Sequence, residues 1–395
     1  MRLPGPTEAF ALFDDARERA PAPSRLYRDP VEVIVAHRLE EVQPALDRLA
    51  EAGEAGLHAA GYLSYEAGLM LEDRLQPLVA QQAERAAAMP LLWFGLFEGH
   101  RLIDPALVPD LLPDPSSVSI EEPRPLIDEA TYRAAFEQVQ ELIRAGDIYQ
   151  VNLTFPCAAR FSGDPLALYA AVRPRQRAGY GGVIRTGRHD ILSFSPELFF
   201  TNVRGQLTAR PMKGTARRAA DPVRDAELAR ELEEDPKQRA ENLMIVDLLR
   251  NDLSRVSQAG SVTVPDLFHV ETYPTVHQMV SAIRARLLPG LSPVDALRVL
   301  FPCGSITGAP KVRAMEIIQQ VEPFPRGVYT GAMGWIDPNG DAAFNVAIRT
   351  ICVEEGSGEG RLGLGSGIVA DSDAASEWAE CLAKGRFLTA AGLVD

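Results

Sequence analysis

The chain has 395 residues, 46% of them hydrophobic and 24% charged, which is typical of a soluble globular protein with a sizeable core. Its formal net charge of −14 argues against a nucleic-acid partner, because such binding depends on Lys and Arg that neutralise phosphates. No apolar run approaches the ~18 residues of a membrane span, and the first twenty positions or so lack the apolar region of a secretory signal. We therefore expect a cytoplasmic protein that binds neither nucleic acid nor membrane.

The four cysteines indicate reduced thiols. None of them falls in a Cys-x-x-Cys pair, the spacing expected of a zinc site or a redox motif. We predict neither a disulfide framework nor a metal bound through sulfur. These residues are Cys157, Cys303, Cys352 and Cys381.

Residues 1–118 are predicted to form a first region that packs on a larger core. The stretch Asp110–Pro125 is rich in proline and serine and has the composition of a surface linker, so we place the boundary within it. The second region is residues 119–395. Patterns in the first region predict a short helix near Glu8–Arg19, an apolar run over Val31–Ala36, a helix over Leu39–Ala52, and strands over Gly61–Gly68 and Leu91–Glu98.

Strands and helices alternate in residues 119–395, which predicts a mixed α/β domain without internal repeats. Asp128 is an N-cap candidate for a helix that ends at Gly146, because apolar residues recur at helical spacing between them. Further strands are predicted over Ile148–Phe155, Gly182–Arg185, Ile191–Phe194, Leu198–Thr201 and Arg361–Val369, and further helices over Asp225–Glu233 and Ala240–Arg250.

Lys213 is the first candidate for chemistry. It follows a strand-like run and stands between Pro211 and Gly214, whose backbone preferences favour a turn, so the lysine is presented at the end of an element. The alternative is an ordinary exposed lysine on the edge of a hairpin.

Glu241 is a candidate cation ligand. On its predicted helix it shares a stripe with Met244, Ile245 and Leu248, so its carboxylate points toward the packed interior. A carboxylate in that position needs a cation as its partner. The alternative is a glutamate at the edge of the core, paired with an arginine.

The C-terminal segment combines glycines with charged residues. Glycines alternate along the strand Arg361–Val369, where a ligand can approach the backbone and its amides can bind an anion. Asp371, Ser372 or Asp373 caps the helix that follows, in which Glu377, Glu380 and Lys384 fall on one face. With Glu241, these carboxylates would form an oxygen-rich site suited to Mg²⁺, although a solvated charged face is the commoner case.

Taken in order, these segments resemble the chorismate-utilising enzymes, the family of anthranilate synthase, aminodeoxychorismate synthase and isochorismate synthase. The resemblance runs from about Ile127 to the end of the chain. It implies an α/β (α+β) fold like that of anthranilate synthase component I, a sandwich of two large, mostly antiparallel sheets with outer helices. The matching motifs are Asp147–Leu153, Ser195–Leu198, Pro211–Thr215, Glu241–Asp252, His277–Ser281, Gly304–Met315, Tyr329–Gly331, Ala347–Thr350 and Gly365–Glu380.

Two positions decide what the resemblance implies about the reaction. Lys213 aligns with a residue that is usually alanine in anthranilate and isochorismate synthases. Gln150 stands where isochorismate-forming relatives have a lysine that activates water, so ammonia is the implied nucleophile. The implied activity is that of component I of aminodeoxychorismate synthase, which makes 4-amino-4-deoxychorismate for 4-aminobenzoate and folate synthesis. The alternatives are anthranilate synthase component I and a catalytically silent chorismate-binding regulatory subunit.

The resemblance also implies a role for each candidate residue. Glu197 would protonate the leaving 4-hydroxyl, and Lys213 would add to ring carbon 2 as a covalent intermediate. The predicted metal ligands for Mg²⁺ are Glu241, Glu377 and Glu380, and His277 and Thr307 would lie beside the ring. The predicted substrate-binding residues are Tyr329, Arg349, Gly365, Ser366, Gly367 and Lys384.

Ammonia requires a source, and the sequence shows no cysteine in a nucleophile elbow with His and Glu partners. We therefore expect a separate glutamine amidotransferase subunit to supply it.

Overall fold

The computed structural model describes residues 3–78, 89–273 and 276–389. These residues form two large sheets in which paired strands run antiparallel, with helices packed against them. This arrangement confirms the predicted sandwich of two antiparallel sheets with outer helices. None of the helices in the described ranges combines the length and apolarity that a membrane crossing needs.

The first sheet has eleven strands: β1 (Phe10–Asp14), β2 (Ser24–Arg28), β6 (Arg101–Ile103), β7 (Ser119–Ile120), β8 (Arg124–Pro125), β9 (Gln150–Ser162), β10 (Gly181–Arg185), β11 (His189–Ser193), β17 (Gly308–Ala309), β20 (Thr350–Glu354) and β21 (Glu359–Ile368). Successive neighbours in the sheet are β17, β9, β21, β20, β11, β10, β1, β2 and β6, and β7 and β8 pair with β9.

The second sheet has ten strands: β3 (Glu32–Ala36), β4 (His58–Leu63), β5 (Leu92–Phe97), β12 (Leu198–Val203), β13 (Gln206–Arg210), β14 (Met212–Arg217), β15 (Thr263–Thr272), β16 (Val276–Arg286), β18 (Ala332–Ile336) and β19 (Ala342–Val346). Successive neighbours in the sheet are β14, β16, β13, β12, β19, β18, β4, β5 and β3, and β15 pairs with β16.

Side-chain caps at the helix starts agree with the sequence signals. Asp128 accepts a hydrogen bond from the backbone N–H of Thr131 at 2.8 Å, and Asp373 accepts one from Ser376 at 2.9 Å. The described helices are α1 (Val42–Glu54), α2 (Glu129–Arg144), α3 (Pro165–Gln176), α4 (Pro222–Glu234), α5 (Pro236–Ser254), α6 (Pro293–Leu300), α7 (Lys311–Val321) and α8 (Ala374–Gly385).

Residues 1–118 share both sheets with the rest of the chain. Strands β1, β2 and β6 extend the first sheet from β10, while β3, β4 and β5 extend the second from β18. One continuous hydrophobic core therefore includes residues from both predicted regions. The first region completes the two sheets, and its division from residues 119–395 stays a prediction.

The helix predicted near Glu8–Arg19 is wrong. Phe10–Asp14 form β1, which lies between β2 and β10, and Phe10, Ala11 and Leu12 are fully buried. A short apolar run is compatible with either a helix or a buried strand. Pairing with β10, about 170 residues away in sequence, decides in favour of the strand.

The strand predicted over Gly61–Gly68 is correct only in its first half. Strand β4 ends at Leu63, and Tyr65–Met70 form a 3₁₀ helix. The buried carboxylate of Glu66 accepts hydrogen bonds from the backbone N–H groups of Arg326 at 2.6 Å and Gly327 at 3.1 Å. These distant contacts hold the segment out of the sheet, and no local pattern could reveal them.

Candidate active site

Lys213 lies in a bulge of β14. Met212 pairs with Val280 and Thr215 with Gln278, so two residues, Lys213 and Gly214, oppose a single residue of β16. Gly214 has φ of +89°, a conformation that a side chain would strain, and its carbonyl accepts a hydrogen bond from the Gln278 amide at 2.8 Å. The bulge turns the lysine out of the regular alternation of the strand.

The ammonium of Lys213 faces the glycine strand β21. A Cβ atom built on Gly367 would lie 3.4 Å from Lys213 Nζ and 2.9 Å from Gln150 Nε2. The missing side chain at Gly367 therefore lets the side chains of Lys213 and Gln150 approach the backbone of β21. Gln150 is buried, and its Nε2 has no hydrogen-bond partner among the described residues. An unsatisfied buried donor at this place is available to a ligand.

Burial lowers the pKa of Lys213, and the ammonium of Lys384 lowers it further. The carboxylates of Glu197, Glu241 and Glu380 act in the opposite direction. Charged groups from a loop and two helices therefore act on the amine of Lys213. Because its pKa is lowered, a larger fraction of Lys213 is neutral than of an exposed lysine. The neutral amine is the nucleophilic form.

Glu197 is the buried acid of the site. Its side chain is nearly inaccessible to solvent, and burial raises its pKa to about 7. The Ser305 hydroxyl, the ammonium of Lys213 and the backbone N–H of Met212 lie beside the carboxyl and partly offset that rise. Oε1 of Glu197 has no hydrogen-bond partner among the described residues. A carboxyl with this pKa can both donate and accept a proton near neutral pH.

The three predicted metal ligands come from α5 and α8. Glu241 is half-buried, and burial raises its pKa, with a further rise from the carboxylates of Asp371 and Glu377. Ser372 donates a hydrogen bond to Glu377 Oε1 at 2.7 Å, and Lys384 Nζ lies 2.8 Å from Glu380 Oε1. Among the described residues, these three carboxylates are not found together within 4.8 Å, so the Mg²⁺ site that they would form stays a prediction.

The substrate-binding candidates on β21 divide between its two faces. Lys384 Nζ donates to the carbonyl of Gly365 at 3.0 Å, and the ring of Tyr329 occupies the space beside Gly363. Side chains alternate along a strand, so Ser366 points away from the face of Gly365 and Gly367. Its side chain lies close to Tyr132 and Cys381. Ser366 can therefore reach a ligand on the Lys213 side only through its backbone.

Arg349 lines a small cavity next to the site. Burial lowers the pKa of its guanidinium, and Nη1 donates to the Gln176 side chain at 3.1 Å. The cavity has a volume of about 60 Å³, and its lining includes Arg175, Arg177, Met212 and Tyr273. Its basic lining suits an anionic group of a substrate.

His277 and Thr307 have partners other than the Lys213 group. His277 Nε2 lies 3.0 Å from Asp225 Oδ1, and Nδ1 lies 3.0 Å from Thr272 Oγ1. The Thr307 hydroxyl donates to the carbonyls of Cys303 and Gly304, each at 3.2 Å. The contacts of both side chains stabilise local backbone and strand pairing, and their place beside a ring stays a prediction.

Sequence reasoning missed two groups that the structure brings to the site. Ser305 lies beside Glu197, and Arg175 and Arg177 share the cavity of Arg349. Ser305 belongs to a motif that the sequence does show, but nothing in the motif distinguishes it from its neighbours. The arginines sit at the end of α3, where basic residues are common for helix-dipole reasons alone.

Comparisons with known proteins identify relatives of this chain. Aminodeoxychorismate synthase component 1 of Klebsiella aerogenes is 45% identical over 253 residues, which cover 64% of this chain and 56% of that protein. Anthranilate synthase component 1 of Streptomyces coelicolor is 41% identical over 271 residues, which cover 67% of this chain and 52% of that protein. The chain thus spans about half the length of the curated relatives it matches.

Among solved structures, anthranilate synthase component I from Streptococcus pneumoniae superposes with a TM-score of 0.78 at 27% identity and covers 94% of this chain and 93% of its own. The isochorismate synthase MenF from Escherichia coli, at 18% identity and a TM-score of 0.73, shares the fold over 98% of this chain and 91% of its own. The profile of the chorismate-binding enzymes matches residues 8–390. With that match over nearly its whole length, and with its two-sheet fold, the chain belongs to the chorismate-binding enzyme family.

Proposed function

We propose that the chain is component I of an aminodeoxychorismate synthase and converts chorismate and ammonia to 4-amino-4-deoxychorismate. The observation that carries the proposal is Lys213, which a β-bulge presents beside the buried acid Glu197 and the unsatisfied amide of Gln150. A buried lysine with these neighbours is suited to act as a nucleophile. A lysine exposed on the edge of a hairpin would not need a buried acid and an unsatisfied amide beside it. The 43–45% identity to several aminodeoxychorismate synthases supports the same assignment.

The proposed mechanism uses Lys213 and Glu197 in two displacements. The neutral amine of Lys213 forms a bond to ring carbon 2, both ring double bonds shift by one position, and the bond from carbon 4 to its hydroxyl breaks. Glu197 donates the proton with which that hydroxyl leaves as water. Ammonia then forms a bond to carbon 4, both double bonds shift back, and the bond between Lys213 and carbon 2 breaks. Glu197 takes up the proton that the new amine releases.

Glu241, Glu377 and Glu380 would hold Mg²⁺, which supplies positive charge against the ring carboxylate of chorismate. Arg349, Lys384 and the amides around Gly367 would bind the second carboxylate. Oriented in this way, the substrate would place its 4-hydroxyl toward Glu197.

Replacing Glu241 with glutamine should weaken Mg²⁺ and chorismate binding together, because metal and ring carboxylate share one site. We expect the Mg²⁺ concentration for half-maximal activity to rise about tenfold or more, since even indirect support of a metal site contributes ~10–100-fold to affinity. Titrations of activity and of chorismate binding with Mg²⁺ measure this. Glu234→Gln, an exposed glutamate on α4, makes the same charge change and should have no effect. Full activity in chelator-treated wild-type protein would refute the metal assignment.

Replacing Gln150 with lysine should divert part of the reaction from ammonia to water. The new amine would stand where Gln150 Nε2 now lies, close to Gly367 and Lys213, and could activate a water molecule. We expect less amination and a new hydroxylated isomer of chorismate, measured by chromatography. Gln150→Ala removes the amide without adding an amine and should give no such isomer. An unchanged product mixture in Gln150→Lys would show that the position does not choose the nucleophile.

We also propose that a glutamine amidotransferase subunit supplies ammonia, since the relatives are named as component 1 of a synthase. The deciding experiment incubates the purified chain with chorismate, ammonium and Mg²⁺ and identifies the product by mass spectrometry. A non-aromatic aminodeoxychorismate supports the proposal. Anthranilate with pyruvate would replace it with the anthranilate synthase activity, and no turnover would favour the silent regulatory subunit.

A further inference from the structure

A second cluster of titratable side chains lies away from Lys213. His58, His100 and Asp337 each offer one ligand atom, and the three atoms lie within 4.8 Å of one another. His58 Nδ1 is 2.8 Å and His100 Nδ1 is 3.9 Å from Asp337 Oδ1. We propose that these three side chains bind a transition-metal ion of the Zn²⁺ class.

Strand register explains why these distant residues meet. Ile336, the last residue of β18, pairs with Ala59 of β4, so the next residue, Asp337, stands opposite His58. His100 lies in the turn between β5 and β6, and β6 belongs to the first sheet. The cluster therefore connects the two sheets at the end of β18 that is remote from Tyr329.

The ligand atoms suit zinc in type and spacing. Two imidazole nitrogens and a carboxylate oxygen form a known zinc ligand set, and metal–ligand distances of about 2.0–2.2 Å imply ligand atoms roughly 3.3 Å apart in a tetrahedron. The two separations from Asp337 Oδ1, 2.8 and 3.9 Å, lie on either side of that value. The cluster contains no sulfur and offers nitrogen, which distinguishes it from the all-oxygen site of Glu241.

Hydrogen bonding within the cluster does not account for the imidazole of His100. Its Nδ1 is buried and has no hydrogen-bond partner among the described residues. Buried polar atoms are rarely left in this state without a ligand or an ion. At 3.9 Å, the separation from Asp337 Oδ1 is too long for a hydrogen bond but spans the space that a metal ion would fill.

The surroundings of Asp337 keep one carboxylate oxygen directed at the cluster. Arg25 Nη1 donates to Oδ2 at 2.8 Å, which leaves Oδ1 directed toward both histidines. Arg25 is itself held by the Tyr27 hydroxyl at 3.2 Å and by stacking on Trp335. Groups that fix a ligand's orientation in this way are typical of metal sites.

The proposed ligands come from both predicted regions of the chain. A metal held by these three side chains would link two residues of the 1–118 region to one of the 119–395 region. Because the ion binds only the folded arrangement, it would stabilise the contact between the two sheets.

The test is calorimetric titration of chelator-treated, full-length protein with ZnCl₂ in the presence of excess Mg²⁺, which occupies the oxygen-only site. We expect one Zn²⁺ per chain and a higher unfolding temperature with Zn²⁺. His100→Ala, which removes a ligand without removing a hydrogen bond to Nδ1, should weaken binding at least about tenfold. It should also abolish the zinc-dependent rise in unfolding temperature.

His37→Ala, an exposed histidine outside the cluster, is the matched control and should bind Zn²⁺ like the wild type. If His100→Ala does not fold, Asp337→Asn supplies the same comparison. The proposal is overturned if the wild type shows no saturable Zn²⁺ binding, which would leave a purely hydrogen-bonded cluster. It is also overturned if the His100 and His37 variants bind Zn²⁺ equally.

Discussion

Lys213→Ala is expected to abolish most amination of chorismate while leaving chorismate binding nearly unchanged. The amine forms its bond only during the reaction, so its loss should lower kcat and kcat/KM together, roughly 100-fold or more. Steady-state rates with ammonium and calorimetric binding of chorismate separate the two effects. Lys213→Met, which keeps the aliphatic stem in the bulge, should behave like the alanine variant.

Lys237→Ala is the matched control for the loss of a lysine ammonium. Lys237 is exposed and pairs with Asp371 on the surface, an interaction of small energetic value. It should retain amination within about twofold. A covalent adduct between a chorismate analogue and the peptide that contains Lys213 would give direct support. Near wild-type amination by Lys213→Ala would show that ammonia attacks directly and that the lysine only contributes charge.

Glu197→Gln is expected to lower the rate by about 10²–10⁴-fold, the usual contribution of a general acid. The pH dependence is as informative as the size of the loss. Because burial raises the pKa of Glu197 to about 7, the wild type should lose activity as the pH rises above about 7 and the acid is deprotonated. The residual activity of Glu197→Gln should lack this decline.

Glu66 provides a control for that pH dependence. It is also a buried carboxyl whose pKa burial raises to about 7, but its partners are the backbone N–H groups of Arg326 and Gly327. Glu66→Gln should therefore keep the decline in activity above about pH 7. If both variants lose the decline, or neither does, the acid is not Glu197.

The same substitution of Glu197 also predicts a change in stability. A carboxyl with a raised pKa in the folded state contributes stability that is complete below its unfolded pKa and is lost as the pH rises through about 7. Glutamine stays neutral throughout. The difference in unfolding temperature between Glu197→Gln and the wild type should therefore shift in favour of the variant as the pH rises from 5 to 8. Thermal unfolding of both proteins across this pH range measures it.

The sequence could propose the site residues because they occur in ordered local motifs. Lys213 between proline and glycine, Glu241 on an apolar stripe, and the acidic face of α8 are short-range patterns, and the carboxylates of Glu241 and Glu380 both raise the pKa of Lys213. The sequence also predicts the helix start at Asp128, because a capping side chain bonds to a backbone group only three residues away. For α8 the sequence left three candidate caps, and the structure selects Asp373.

Tertiary structure decided what depends on strand register and distant partners. The apolar run at Phe10 became a strand because β10 pairs with it, and Ser366 was turned away from Lys213 because side chains alternate along β21. His277 contacts Asp225, and His58 lies close to His100 and Asp337. These residues are too far apart in the sequence for a local pattern to predict the contacts. The sequence by itself determined which residue types were available and which short elements they favour. Their convergence required the pairing of strands from both ends of the chain, because long-range hydrogen bonding, and not local propensity, sets which side chains face each other.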